Sequence, residues 1–386
     1  MNLLTKYSQY LMPIGLSIIF SYGIKALWNH PFSEYLTIAL TVFFCICLIL
    51  VIIRTKSIFS LKEIDILIYL LAFLSIIVGM ITNTVRESFQ FLAMSLIFYF
   101  FGRILFLKRN DDLINWTIIF SIPLILNLAT TLLDNNGVAW RLSISGASPI
   151  GIGELFTFFI LACYYSMRYR AEKKKFKLIY ITLIAIGFFL QISALSSRGA
   201  VITTVITIFF GEMLFKNFFE SIKIFTLVAF LYALFNFYIE KISSILPIAS
   251  RFSFLSILNS ESISGSNLHN GRKQLVEIAW ANIKNSPVIG KGFGNSYSHN
   301  IFLEIWSSLG IIGLVILLII LFVTVRNIIE YKFSINILVT LLLIATFVNR
   351  MSSFDYTSYK SLFFFLGLFH SNIMYRVKIN GEELMK

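Results

Sequence analysis

Residues 300–324 read NIFLEIWSSLGIIGLVILLIILFVT, a run in which Glu304 is the only charged side chain. A helix needs about 20 consecutive apolar residues to cross the hydrocarbon core of a bilayer. Backbone groups in hydrocarbon must be paired within a helix or a closed barrel, and this run is too long and too unbroken for a barrel strand. The stretch therefore predicts a membrane-spanning helix and an all-α fold.

The rest of the chain has the same character. Of its 386 residues, 58% are hydrophobic and 13% are charged, more apolar surface than a soluble domain can bury. We therefore expect residues 1–386 to form a single polytopic membrane domain of about twelve spanning helices. The N-terminal apolar run is interpreted as the first helix and not as a cleaved signal peptide. The expected segments lie near 9–28, 34–53, 64–82, 88–107, 113–133, 150–167, 178–196, 199–215, 221–240, 300–324, 333–349 and 359–375.

The net charge of +13 does not indicate a nucleic-acid partner, because no basic patch interleaved with aromatic residues lies on a soluble module. Lysines and arginines are concentrated in alternate short loops between the predicted helices, which places both termini in the cytoplasm. One long connection, residues 241–299, falls on the opposite side. It contains an amphipathic stretch at about 271–285, with apolar residues at helical spacing.

The cysteines do not indicate a metal site. Cys45, Cys47 and Cys163 all lie inside apolar runs and lack metal-ligand spacing, which is typical of small packing residues. Nucleotide-binding and zinc motifs are also missing from the sequence. We therefore expect no metal and no cofactor.

The residues just before the helix at 300–324 are candidates for a site. His299 follows the glycine-rich loop Gly290–Gly294, and Glu304 lies just over one turn further along. The dipole at a helix N-terminus disfavours a protonated imidazole, so a neutral His299 could act as a general base. The alternative is an ordinary structural histidine.

Two arginines are candidates for binding phosphate. Arg198 stands between two apolar segments, and Arg272 opens the amphipathic stretch. A guanidinium beside the free amides of a helix N-terminus favours a phosphate group. The alternative for Arg198 is an interfacial side chain that reaches water, and for Arg272 a solvated loop charge.

Taken in order along the chain, these motifs resemble the O-antigen polymerase and O-antigen ligase superfamily of bacterial polysaccharide assembly. The matching residues run from about 141 to 313, and the first four helices match only as generic membrane segments. They are Ser196-Ser197-Arg198-Gly199-Ala200, Gly271-Arg272, Trp280, Ser286-Pro287, Gly290–Gly294, His299-Asn300, Leu303-Glu304, Gly310 and Gly313, with a weaker motif of Arg141, Gly146 and Pro149.

The resemblance implies a GT-C-like, all-helical membrane glycosyltransferase with one large periplasmic loop. Its donor is a glycan on undecaprenyl diphosphate, and similar enzymes invert the anomeric centre without a metal. His299 is implied as the base for the acceptor hydroxyl, with Arg272 and Arg198 stabilising the leaving diphosphate. The implied substrate-binding residues are Arg141, Glu304, Asn300 and Gly292.

The expected function is polymerisation of lipid-linked repeat units, because the glycine loop and the serine-arginine-glycine motif are both complete. The alternative is a ligase that transfers the finished glycan to lipid A–core. A flippase or exporter is less expected, because it would show charges deep in several helices or an internal repeat. A membrane sensor or scaffold would not require these arginines and the histidine.

The implied location is the bacterial inner membrane with the site facing the periplasm, and the implied partners are the lipid-linked donor and acceptor, the bilayer and a chain-length regulator.

Overall fold

The computed structural model of the chain describes much of residues 62–384 and, before residue 62, only two positions. The described residues are Pro13, Leu16, 62–105, 110–134, 149–193, 197–216, single positions between 219 and 238, 267–295, 298–332, 335–352 and 359–384. The predicted segments 9–28, 34–53 and 221–240, the loop residues 241–266 and Arg141 lie wholly or largely outside them.

The described residues form helices and turns, and none of them forms a strand, which confirms the all-helical class. In chain order the helices are α1 (Glu63–Thr82), α2 (Val85–Leu92), α3 (Phe98–Ile104), α4 (Asn110–Asp134), α5 (Pro149–Tyr165), α6 (Lys174–Ser193), α7 (Arg198–Phe215), α8 (Asn267–Asn285), α9 (Ile301–Glu330), α10 (Ile337–Ser352) and α11 (Lys360–Leu384). Short π-helical segments at Ala93–Ile97 and Ser166–Arg170 join α2 to α3 and extend α5.

Among the described residues, five helices are long and apolar enough to cross a membrane. They are α1, α7 and α9, with Asp112–Thr130 of α4 and Lys174–Ile192 of α6. These helices support a membrane protein. The total of about twelve spans stays a prediction.

The chain divides into two compact units. The first unit contains residues 1–9, 45–106 and 265–386, and therefore α1 to α3 and α8 to α11. The second contains residues 10–44 and 107–264, and therefore α4 to α7.

In the first unit, α3 and α11 pack backbone to backbone through two glycines. A Cβ atom added at Gly102 would lie 1.9 Å from the carbonyl oxygen of Phe364, and one at Gly367 would lie 2.1 Å from that of Tyr99. Small residues allow such close approach of two helices, which is how membrane helices gain packing contacts in place of a hydrophobic driving force. The two helices are therefore in direct backbone contact.

In the second unit, α5, α6 and α7 meet around a buried polar network. The side-chain amide of Gln191 donates to the carbonyl of Gly153 at 3.2 Å and to the hydroxyl of Thr157 at 3.1 Å. Thr157 lies 3.0 Å from the hydroxyl of Thr204 on α7. All three side chains are buried, so the network joins the three helices from inside.

Candidate functional site

His299 lies at the junction between the glycine-rich loop and α9, in a backbone conformation that is uncommon for a non-glycine residue. Its φ is +56°, in the left-handed region, and Asn83 is the only other non-glycine residue with a positive φ in the described part of the chain. The side chain is partly buried. Such a conformation persists only where the surroundings hold it, and it is typical of functional positions.

The carboxyl group of Glu304 holds the residue that precedes His299. Glu304 is fully buried, and its Oε2 atom accepts the backbone N–H of Ser298 at 2.9 Å. The hydroxyl of Ser298 lies 3.2 Å from the same oxygen and 3.0 Å from the carbonyl of Asn300. This Ser298–Glu304 clasp fixes the backbone on both sides of His299.

Asn300 is the N-cap of α9 and also joins it to α10. Its Oδ1 atom accepts the backbone amides of Phe302 and Leu303 at 3.0 and 3.2 Å, which satisfies two of the free donors at the helix start. Its Nδ2 atom donates to the carbonyl of Met351 at 3.1 Å. Both ends of the Asn300 amide are thus in use within the protein. Its predicted contact with substrate stays a prediction.

The glycine-rich loop is docked on a break in α9. Gly310 has φ +67° and ψ −170°, so the helix is interrupted there, and the carbonyls one turn before it lose their usual partners. The loop supplies replacements, because the amides of Lys291 and Gly292 donate to the carbonyls of Ser307 and Ser308, each at 2.9 Å. In return, Ile311 donates its amide to the carbonyl of Pro287 at 2.9 Å.

Gly292 cannot be replaced by a larger residue without movement of its neighbours. Its φ is +78°, and an added Cβ would lie 2.0 Å from the hydroxyl of Thr84 and 2.3 Å from that of Thr82. The next residue, Phe293, stacks on Phe91 of α2 with ring centroids 4.4 Å apart. The loop is therefore anchored on α1 and α2 as well as on α9, and the predicted contact of Gly292 with substrate is not tested by this geometry.

The two predicted phosphate-binding arginines lie in different units. Arg272 lies in the first turns of α8 in the first unit, and the structure describes its backbone but not its side chain. Trp280 of the same helix packs edge-on against Trp306 of α9, with ring centroids 5.7 Å apart. Arg198 is partly buried at the start of α7 in the second unit. Their roles, and that of Arg141, stay predictions.

The start of α7 is closely packed against α5. A Cβ atom at Gly153 would lie 2.7 Å from Cβ of Ala200 and 3.1 Å from Oγ of Ser197. The neighbouring residue Glu154 is buried, with 7% of its surface exposed. A buried carboxyl and Arg198 thus lie at the same end of the α5–α7 pair.

Each unit contains one buried carboxylate that pairs with an arginine and joins two helical segments, and the sequence did not indicate either pair. In the first unit, Arg103 of α3 donates through Nε and Nη2 to the carboxylate of Asp65 at 3.0 and 3.2 Å, and Tyr99 donates to the same carboxylate. Asp65 and Arg103 are 3% and 7% exposed, so this is an interior ion pair between α1 and α3.

The second unit repeats the arrangement. Arg168 donates through Nε and Nη2 to the carboxylate of Glu212 at 3.1 and 3.2 Å, and Tyr164 donates to the same group. In both units the tyrosine and the arginine are four residues apart, on one helical face. That spacing is visible in the sequence, but the carboxylate that it selects is not, because the partner lies more than 30 residues away.

Chemically, the first unit offers a partly exposed imidazole whose backbone is fixed, at the start of an apolar helix. A group placed in this way can accept a proton from a hydroxyl, provided that a substrate reaches hydrogen-bonding distance. No protein-family model matches the chain, and no curated protein matches it.

Proposed function

We propose that the chain is a membrane glycosyltransferase that polymerises undecaprenyl-diphosphate-linked oligosaccharide repeat units into O-antigen or a related surface polysaccharide. The observation that carries the proposal is the left-handed backbone of His299, fixed by the Ser298–Glu304 clasp at the start of α9. A strained and braced histidine next to a membrane helix suits a base that serves a lipid-linked substrate.

In the proposed reaction, a sugar hydroxyl of the acceptor attacks the anomeric carbon of the donor glycan. His299 accepts the proton of that hydroxyl as the new glycosidic bond forms. The bond between the anomeric carbon and the diphosphate breaks with inversion, and the lipid diphosphate leaves with its electron pair. Arg272 stabilises the negative charge that develops on the leaving group. The same role for Arg198, which belongs to the second unit, stays a prediction.

In this proposal Glu304 is a positioning residue. Its carboxyl is fully buried and bonds to Ser298, so it acts on substrate only through the position of His299. The site faces the periplasm, because the alternation of basic loops puts the start of α9 on the side away from the termini. The membrane is then the bacterial inner membrane.

Deletion of the gene, followed by gel analysis of the surface polysaccharide, tests the proposal. A core capped with a single repeat unit is the expected result. A core without polysaccharide, together with accumulated lipid-linked polymer, would replace the polymerase with the ligase. An unchanged ladder would count against both activities.

A further inference from the structure

The exposed apolar side chains of α9 form a belt of defined length. They begin directly after the helix break and continue almost to the end of the helix. The belt consists of Ile311, Ile312, Val315, Leu318, Ile319, Phe322, Val325 and Ile329. From Ile311 to Ile329 the belt extends about 27 Å at the rise of an α-helix. The hydrocarbon core of a bilayer is about 30 Å thick, so the belt matches the part of α9 that lipid would cover.

Helix α1 runs antiparallel to α9, and its contacts define the two ends of the belt. At one end, Arg326 of α9 lies 3.8 Å from Glu63, and both side chains are exposed. At the other end, Gly292 of the docked loop lies against Thr82 and Thr84. Gly310 and the last turn of α1 therefore lie at the same boundary of the apolar belt.

The turn Pro287–Ile289 lies at that boundary and exposes two apolar side chains. Val288 is 53% exposed and Ile289 is 43% exposed. The turn adjoins the first belt residues, because Pro287 accepts the amide of Ile311, and a Cβ at Gly310 would lie 1.9 Å from the carbonyl of Val288. The apolar belt of α9 thus continues without a gap onto the loop.

The backbone on both sides of the turn is paired within the protein. Non-helical backbone is tolerated at membrane depth only where its polar groups are paired within the protein. The backbone amides of Lys291 and Gly292 donate hydrogen bonds to carbonyls of α9, and the amide of Gly290 donates to the carbonyl of Ser286 at 3.0 Å. The hydroxyl of Ser286 donates in turn to the carbonyl of Gly290 at 2.8 Å.

We propose that the Pro287–Ile289 turn is inserted into the edge of the hydrocarbon core, where Val288 and Ile289 contact the acyl chains of bilayer lipids. An exposed lysine, Lys284, precedes the turn and the partly buried Lys291 follows it. Lysines at this level can extend to the lipid headgroups while their stems cover apolar surface. The segment is thus a membrane-anchored loop and not a freely hydrated one.

Site-specific fluorescence in vesicles tests this insertion and requires no transferase activity. Single cysteines are introduced as Val288→Cys and Ile289→Cys after replacement of Cys45, Cys47 and Cys163 by alanine, and are labelled with bimane. The protein is reconstituted in phosphatidylcholine–phosphatidylglycerol vesicles, with or without bromine on the acyl chains. The lipid reference is Phe322→Cys in the belt, and the aqueous reference is Asn285→Cys, an exposed position at the end of α8.

We expect bimane at Val288 and Ile289 to lose fluorescence in brominated vesicles, as bimane at Phe322 does, and to resist quenching by aqueous iodide. Quenching by iodide at the level of Asn285, with no effect of bromine, would overturn the insertion. If the cysteine-free protein does not fold, the same variants are labelled in the native cysteine background. The labelled unsubstituted protein is then subtracted as a blank.

Discussion

At the scale of single residues, the backbone of His299 separates two roles that a histidine can have. A left-handed conformation costs a non-glycine residue about 1–2 kcal/mol, and glycine adopts it without this penalty. His299→Gly therefore keeps the conformation and removes the imidazole. We expect this variant to accumulate with an unchanged or higher unfolding temperature in detergent, and to lose polysaccharide extension in a complemented deletion strain.

Asn83 provides the matched control for this variant. Its φ is +59°, so Asn83→Gly relieves the same kind of backbone strain at the end of α1 without touching the imidazole. Extension should stay normal in Asn83→Gly. Long-chain polysaccharide at the normal level in His299→Gly would show that the imidazole is not the base.

The sequence indicated the position of His299 but not its conformation. Its place between a glycine-rich loop and an apolar run was sufficient to select it as a candidate. The left-handed backbone depends on Ser298, Glu304 and Asn300 acting together, and none of these residue types encodes that conformation alone. For the same reason Ser298 was missed as part of the site.

At the scale of elements, the break in α9 depends on a glycine. The φ and ψ of Gly310 lie in a region that is almost exclusive to glycine, and an added Cβ would lie 1.9 Å from the carbonyl of Val288. Gly310→Ala should therefore displace the docked loop and destabilise the protein by about 2 kcal/mol or more. The measurement is the unfolding midpoint in detergent micelles.

Ile312→Ala is the control for Gly310→Ala. It lies two residues further along α9, is 45% exposed and faces outward, so it should change the midpoint little. An equal midpoint for both variants would mean that the docking of the loop on α9 does not contribute to stability. Apolarity alone predicted α9 well, but a glycine inside an apolar run does not reveal a break. The break requires hydrogen-bond partners from a loop that is distant in the sequence.

The ion pair between α1 and α3 leads to a second prediction at this scale. Asp65→Asn leaves the buried guanidinium of Arg103 without its countercharge, which should cost about 3–5 kcal/mol. Glu63→Gln is the matched control on the same helix, because Glu63 and Arg326 are exposed, and such pairs contribute about 1 kcal/mol or less. Comparable unfolding midpoints for the two variants would contradict the structural role of the interior pair.

At the scale of the whole molecule, composition was sufficient to predict an all-helical membrane protein. It did not predict which side chains contact each other. Long apolar runs are sufficient to predict membrane helices, since every backbone group in hydrocarbon must be bonded within its helix. Contacts such as Asp65 with Arg103 join residues 38 positions apart, and a single sequence does not show which carboxylate meets which arginine. The division into two compact units likewise reflects contacts between distant segments.

The orientation of the chain gives the last prediction. Lysines and arginines are concentrated in alternate loops, so an even number of spans should leave both termini in the cytoplasm. Alkaline phosphatase is active only in the periplasm. Fused to either end of the chain it should therefore be inactive, whereas a fusion after Asn295, which directly follows the glycine-rich loop, should be active. Activity at one terminus would imply an odd number of spans. Activity at both termini but not after Asn295 would mean that the chain has the opposite orientation in the membrane. His299 would then lie on the cytoplasmic side, where the proposed periplasmic polymerisation could not occur.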